Sequence, residues 1–317
     1  MLDVSIIIVN WNTRDILCNC LQSIYEQASK VNFEVIVVDN ASTDDSVQMV
    51  KTEFLHVILI ENSENKGFAA ANNQGIAVAR GRYALLLNSD TVIQNNAIAE
   101  TVSFADAHPD AAVVSCRVLN PDQTLQPTCF MFPSILNMLL SSTYLYKLFP
   151  KSKFFGREQM TWWDRNNIRE VDVVTGCFML VRREAIQQVG TMDEQFFMYG
   201  EETDWCYRFR QAGWKVVFTP ACEIIHLGGQ SSRQQRIKMI LQLRGSILYF
   251  MAKNRGPVQY KIGCILTCAF FVFRIPGVLL LSLLQRNCGP NATKASAYWK
   301  GACKSLLGWR ALAVQRD

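Results

Sequence analysis

A mostly parallel α/β sheet with helices on its faces, followed by a basic and apolar helical segment, is the architecture the sequence predicts. Three observations predict it. Short β-branched runs alternate with stretches of helical hydrophobic period from Val4 to the strand preceding His226. Of the 317 residues 50% are hydrophobic and 19% charged, which is ample for a packed core and too apolar for a disordered chain. Charge is also split: residues 1–232 carry 18 Lys or Arg against 26 Asp or Glu, whereas residues 233–317 carry 14 against a single Asp. An acidic body precedes a basic tail.

The opening run Val4–Val9 is apolar and mostly β-branched, as suits a strand buried on both faces. Thr13 is the expected cap of the next helix, whose Ile16, Leu17, Cys20, Leu21, Ile24 and Tyr25 form one apolar stripe. The unit repeats with a strand to Val38, a helix from Asp44, a strand at 57–60, a helix from Phe68, a strand at 83–87, a helix from Asn95 and a strand at 111–115. Residues 126–170 break the rhythm as an insertion or lid-like excursion, with Pro127, Pro133, Pro150 and an amphipathic patch from Ile135 to Leu148. The pattern resumes at VDVVTGCFMLV. A helix over Glu201–Ala212, with Trp205, Phe209 and Ala212 on one side, stops at Gly213. The strand KVVFT and the segment to His226 then close the domain.

The expected boundary separates a catalytic or binding domain at 1–232 from a membrane-associating region at 233–317. Within the latter, Ile262–Leu284 is a 23-residue apolar stretch interrupted by Arg274, Pro276 and two glycines. These interruptions favour an in-plane or re-entrant helix pair, with Lys and Arg snorkelling to head groups, over a clean transmembrane span. The cations alternate with apolar runs instead of lining a polar face. That pattern suits an anionic membrane and not nucleic acid. Eleven cysteines, without Cys-x-x-Cys or finger spacing, read as reduced core thiols of a cytosolic protein. The first apolar run is short and follows Asp3, so no signal peptide is expected and the body should face the cytoplasm.

In open α/β sheets ligands sit beyond the C-terminal strand ends, which directs attention to VNWNT, VVDNASTDDS and LLLNSDT. Asp39 can accept a hydrogen bond from a base or ribose; equally, it sits among turn and cap formers and can be an Asx-turn residue. Lys66-Gly67 has the same two readings. Asp90 can hold a divalent cation that bridges a diphosphate, since Mg2+ and Mn2+ take hard oxygen ligands and few of them from protein; the bland reading is a turn residue. His226 precedes Gly228 and Gly229, which permit close approach of a ligand, but a lone histidine also serves structure. Glu201, Glu202 and Asp204 lie in the first turn of a helix, where carboxylates are favoured anyway. One of them, kept ionised by that helix end, is the candidate general base.

Taken in order, VSIIIVNWN, VVDNASTD, NKGFAAANNQG, LLNSDT, GCFMLVRREAI, DEQFFMYGEETDWCYRFRQAGW and HLGGQSS resemble the family 2 glycosyltransferases, inverting enzymes of the GT-A fold, and their rhamnosyltransferase-like branch. The resemblance covers about residues 3–230. It implies that Asp39 reads the nucleotide base, with Asn10, Asn12, Asn40, Lys66 and Gly67 around it. It further implies that Asp90 is the last member of an Asp-x-Asp metal motif, here Asn88-Ser89-Asp90, so that Mg2+ or Mn2+ leans on Asp90, the diphosphate, waters and His226. The family's catalytic acidic pair falls on Glu201-Glu202, which makes Glu202 the implied base. The implied reaction transfers one sugar, rhamnose first, from a nucleotide-diphosphate sugar to a lipid-linked or envelope glycan.

Rival readings are weaker. A nicotinamide dehydrogenase would carry Gly-x-Gly-x-x-Gly where this chain has NWNTRD. A nucleotidyltransferase would show a glycine-rich basic loop there. A processive synthase would have several membrane spans and Gln-x-x-Arg-Trp. A non-catalytic scaffold on a decayed transferase domain is disfavoured by the retained carboxylates.

Overall fold

The computed structural model describes residues 2–28, 30–229, 236–284 and 288–313. In chain order the first half contains β1 (Val4–Asn10), α1 (Arg14–Gln27), β2 (Phe33–Asp39), α2 (Ser46–Glu53), β3 (Ile58–Glu61), α3 (Phe68–Val78), β4 (Tyr83–Asn88), β5 (Thr91–Ile93), α4 (Ala97–Ala107) and β6 (Ala111–Leu119). Then come β7 (Cys129–Phe130), α5 (Ile135–Thr143), α6 (Leu145–Leu148), β8 (Arg169–Glu170), β9 (Val173–Val174), β10 (Phe178–Arg182), α7 (Arg183–Val189), α8 (Glu201–Gln211) and β11 (Lys215–His226). The C-terminal helices are α9 (Arg236–Asn254), α10 (Pro257–Val272), α11 (Ile275–Leu284), α12 (Cys288–Leu307) and α13 (Trp309–Leu312).

Two compact units result. The first comprises 1–132, 163–197 and 201–233; the second comprises 133–162, 198–200 and 234–317. The first unit is built on a sheet of order β3-β2-β1-β4-β10-β6-β11-β5. Strands β3, β2, β1 and β4 run parallel, as do β6 and β11, while β10 and β5 run antiparallel to their neighbours. The continuous apolar runs of β1, β2 and β4 are almost fully buried, because helices cover both faces of these central strands. Helix α1 buries Leu17, Cys20, Leu21 and Ile24 as the periodicity requires, whereas Tyr25 is exposed, tilted against Phe33 and stacked on Phe54.

Some local expectations are corrected. Thr13 does not cap α1 with its side chain; its hydroxyl donates to Asn10 Oδ1 at 2.6 Å, and the first-turn amide of Arg14 is taken by Asp44 Oδ2 at 2.8 Å. Ala212 is exposed beyond the end of α8, whose buried face is Asp204, Trp205, Cys206 and Phe209. The two pieces KVVFT and the run to His226 form one twelve-residue strand, β11, with a bulge between Phe218 and Glu223. Strand β5, only three residues long, has no counterpart in the sequence reading.

The second unit is helical. Its core joins Met138 of α5 to Leu248, Met251, Cys264, Phe270, Phe271 and residues of α12. The apolar stretch at 257–280 is long enough to cross a membrane by length and composition, and the chain turns at Phe273–Arg274, which separates α10 from α11. Every cysteine described is a free thiol, and most are buried. The end of the HLGGQSS motif after Gly229 and the expected boundary at 232/233 lie outside the described residues.

Candidate active site

The strand ends bring the polar residues of β1, β2 and β4 together in the first unit. In the parallel register Asn10 pairs with Asp39, so the last residues of β1 and β2 stand side by side. Asn10 donates to Asp39 Oδ2 at 2.9 Å, and the Ser42 amide donates to Asp39 Oδ1 at 2.8 Å. Each carboxylate oxygen keeps a further lone pair for a ligand. Asn40 is held from both sides: its Nδ2 donates to Gly67 O at 3.3 Å and its Oδ1 accepts from Asn62 at 2.9 Å. Asn12, with φ at 53°, accepts the Thr43 amide at 2.7 Å and so closes the loop after β2 over the loop after β1.

The turn at Lys66-Gly67 is fixed by φ at +85° and by lack of room, since a Cβ on Gly67 would lie 2.4 Å from Phe197 O. That carbonyl accepts the Phe68 amide at 2.7 Å. Asn73 of α3 clamps the same segment through Met192 N and O at 3.0 and 2.9 Å. The Lys66-Gly67 loop is thereby tied to the stretch that leads into α8. Among the described residues the Lys66 ammonium enters no ion pair, which leaves its charge for a ligand.

The antiparallel pairing of β5 with β11 sets Thr91 opposite His226 and carries the imidazole to Asp90. His226 Nε2 lies 3.0 Å from Asp90 Oδ1 and 3.2 Å from Asn88 Nδ2. The tautomer follows from a chain of partners anchored on a carboxylate. The Thr124 hydroxyl donates to Asp122 Oδ1 at 2.5 Å, which holds the Asp122 carboxyl below its ordinary value. Thr124 Oγ1 therefore accepts Asn120 Nδ2 at 2.9 Å, Asn120 Oδ1 accepts Gln126 Nε2 at 2.9 Å, and Gln126 Oε1 accepts His226 Nδ1–H at 2.6 Å. Nε2 faces the Asp90 carboxylate, and in the neutral ring it is the acceptor nitrogen. A nitrogen and an oxygen acceptor converging in this way fit a divalent cation, and the ring is oriented by a hydrogen bond at its other nitrogen, as metal-binding histidines are. Among the described residues no three His, Cys, Asp or Glu side chains gather around one point, so further ligands would come from a diphosphate and water.

The acidic turn of α8 divides by burial. Asp204 is fully buried and ion-paired to Arg208 Nε at 2.9 Å, and Arg208 also ties down Val189 O and Thr191 O. Glu201 is 3% exposed, whereas Glu202 is half-buried. Sequence reasoning missed Ser42, Asn62 and Gln126. Of these only Gln126 bears on chemistry, and no signal within the 126–170 excursion marked it.

This sheet order, with polar residues at the ends of β1, β2 and β4 and an acidic helix behind them, defines a GT-A-like sugar-nucleotide transferase. The chain belongs to glycosyl transferase family 2, whose model matches residues 5–190, more than half its length. It is 25% identical over 244 residues to an N-acetylglucosaminyl-diphospho-decaprenol L-rhamnosyltransferase of Mycobacterium tuberculosis, covering 72% of this chain and 79% of that one. It is 27% identical over 282 residues to a low-salt glycan biosynthesis hexosyltransferase of Haloferax volcanii, covering 86% and 84%. Among solved structures, a mannosyltransferase from Pyrobaculum calidifontis in complex with GDP-Man and Mn2+ shares the fold at a TM-score of 0.57 and 17% identity, over 96% of this chain and 86% of that one. The protein is a glycosyltransferase.

Proposed function

We propose that the enzyme moves one sugar, L-rhamnose first, from a deoxythymidine or uridine diphosphate donor to a lipid-linked envelope glycan, with inversion, at the cytoplasmic face of a membrane. The observation that carries the reading is His226 Nε2 facing Asp90 Oδ1 at 3.0 Å while Gln126 holds the other ring nitrogen. Asp90 and His226 hold Mg2+ or Mn2+, and Asn88 adds at most a neutral oxygen. The bound cation supplies Lewis-acid stabilisation of the charge that develops on the departing nucleoside diphosphate.

Asp39, with Asn10, Asn12 and Asn40, receives the nucleoside, and the free ammonium of Lys66 supplies charge toward the diphosphate. Glu202 accepts the proton of the acceptor hydroxyl as it attacks the anomeric carbon. Glu201 is more deeply buried and Asp204 is ion-paired to Arg208, so Glu202, the least buried of the three residues, is the one assigned to the acceptor. The relatives support a lipid-linked acceptor, since the mycobacterial one is named for a diphospho-decaprenol substrate. The basic C-terminal region and its apolar stretch support attachment to an anionic membrane surface.

Donor binding and turnover of three variants test the reading together. Asp90→Ala abolishes turnover and metal-dependent donor binding. Glu202→Gln leaves donor affinity in place and lowers transfer by roughly a hundredfold or more. Asp204→Asn chiefly lowers the melting temperature. An Asp90→Ala enzyme with wild-type turnover, or an Asp204→Asn enzyme that binds donor normally and is dead while Glu202→Gln is active, refutes the assignment.

A further inference from the structure

In the second unit a group of cations enters no ion pair among the described residues. Arg244 of α9 and Arg274, at the turn between α10 and α11, lie over the Phe270 ring with Cζ 3.6 and 3.5 Å from its centroid. Both guanidiniums thus pack on one aromatic ring, which gathers two positive charges at the same place. Arg274 is anchored by donating to Phe270 O at 2.8 Å and Ser142 O at 3.0 Å, and it also covers the Tyr144 ring. Lys147 covers the same tyrosine with Nζ 4.9 Å from the ring centroid. Arg244, by contrast, makes no hydrogen bond or ion pair among the described residues; its five donors have only an aromatic face against them.

Glu158 is the one carboxylate that acts on Arg244, across the cluster and without forming an ion pair with it. Its Oε2 is buried and has no hydrogen-bond partner. Loss of hydration lowers the Arg244 pKa to about 10, opposed by Glu158 and reinforced by Arg274. Burial pushes the Tyr144 phenol up, yet the hydrogen bond and charge of Arg274, with Arg244 and Lys147, bring it below its ordinary value. The surroundings are apolar: Leu148, Phe149, Phe154 and Phe273, which adjoins Arg274, are 73%, 52%, 54% and 80% exposed.

We propose that Arg244, Arg274 and Lys147 form a site for the phosphate or diphosphate group of a lipid, whose chain lies along the exposed apolar side chains of the same unit. Arg244 keeps its fork of donors uncommitted among the described residues, and Arg274 and Lys147 add positive charge to the same patch, so a phosphate group held by the Arg244 fork would be supported by all three cations. The inference rests on the proposed lipid-linked acceptor only for the source of the phosphate. That source is either the acceptor's own diphosphate or the headgroup of an anionic phospholipid.

The test uses the full chain and flotation on three kinds of vesicle: neutral phosphatidylcholine alone, the same doped with a polyprenyl diphosphate sugar, and the same doped with phosphatidylglycerol. Binding to at least one doped vesicle should exceed binding to neutral lipid, and Arg244→Gln or Arg274→Gln should weaken that excess by roughly tenfold or more. Arg244→Lys, which keeps the charge and loses the fork, should fall between them and wild type. Glu158→Gln removes the opposing carboxylate and should tighten binding, an effect that a merely structural role would not give. Dependence on Arg244 with the polyprenyl diphosphate assigns the site to the acceptor; the same dependence with phosphatidylglycerol alone assigns it to the headgroup. Variants with wild-type melting temperature and unchanged binding to both, or a Glu158→Gln protein that binds no better, overturn the inference. Metal-dependent donor hydrolysis is measured on the same samples. Its presence alongside that negative result sinks this site alone, and its absence in the wild type sinks the earlier reading of the active site.

Discussion

The two nitrogens of His226 do different jobs, and Gln126 assigns them. Because Gln126 Nε2 is spent on Asn120, only its oxygen faces the ring, and Nδ1 must donate. Replacing Gln126 with Leu removes that acceptor and frees the ring to turn or change tautomer. Mn2+ affinity, read from the free-ion signal in a spin-resonance titration without donor, should fall by roughly ten- to a hundredfold, the usual cost of losing such a partner. Gln126→Glu, which still accepts from Nδ1–H, should recover most of it. Wild-type Mn2+ affinity in Gln126→Leu would show that the glutamine only packs. A glutamine in a proline-flanked loop has no local pattern to mark it. Asp39 and Asp90, in contrast, follow apolar strands directly, and their position at strand ends was readable before their partners were known. Asp204 could not be sorted from Glu201 and Glu202 in the same way: a carboxylate in the first turn of a helix looks alike whether an arginine one turn later neutralises it or a substrate uses it.

Elements were legible in proportion to their length and to how local their contacts are. Strands β1, β2 and β4 are six- and seven-residue, mostly apolar segments buried on both sides, and the helices between them carry the period of their buried faces. Strand β5 has three residues, and its partner on β11 is more than a hundred positions away, so nothing local announces the pairing that carries His226 to Asp90. The turn at Gly67 lies between these cases: the glycine was visible, but its reason was not. Its φ of +85° and the carbonyl of Phe197 both exclude a side chain. Gly67→Ala should cost on the order of 2 kcal/mol or more, because alanine is strained at that φ and must displace backbone. A urea titration should show a lower midpoint at unchanged slope. Donor KM should rise as well, because Gly67 O holds Asn40 and the next amide holds the segment leading into α8. An alanine variant with wild-type midpoint would mean that the turn relaxes without penalty.

At the scale of the molecule, the two units do not follow the chain in two blocks. Charge and hydropathy suggested a cut near residue 232, yet the excursion at 133–162 folds with the helices beyond that point. Met138 is 2% exposed inside the cluster of α9, α10 and α12, and Leu140 is 7% exposed on the same helix. Burying such side chains contributes roughly 1.5–3 kcal/mol each, and the contribution is lost when their partners are removed. A chain cut after residue 232 should therefore expose the apolar face of α5, bind a hydrophobic dye strongly and elute as aggregate. Shortening 133–162 to a glycine-serine link in that same truncated chain should reduce both signals, because the orphaned face goes with the segment. A truncated chain that runs as a monomer and leaves the dye dark would show that α5 closes on the first unit by itself, and that the second unit begins where the charge changes sign.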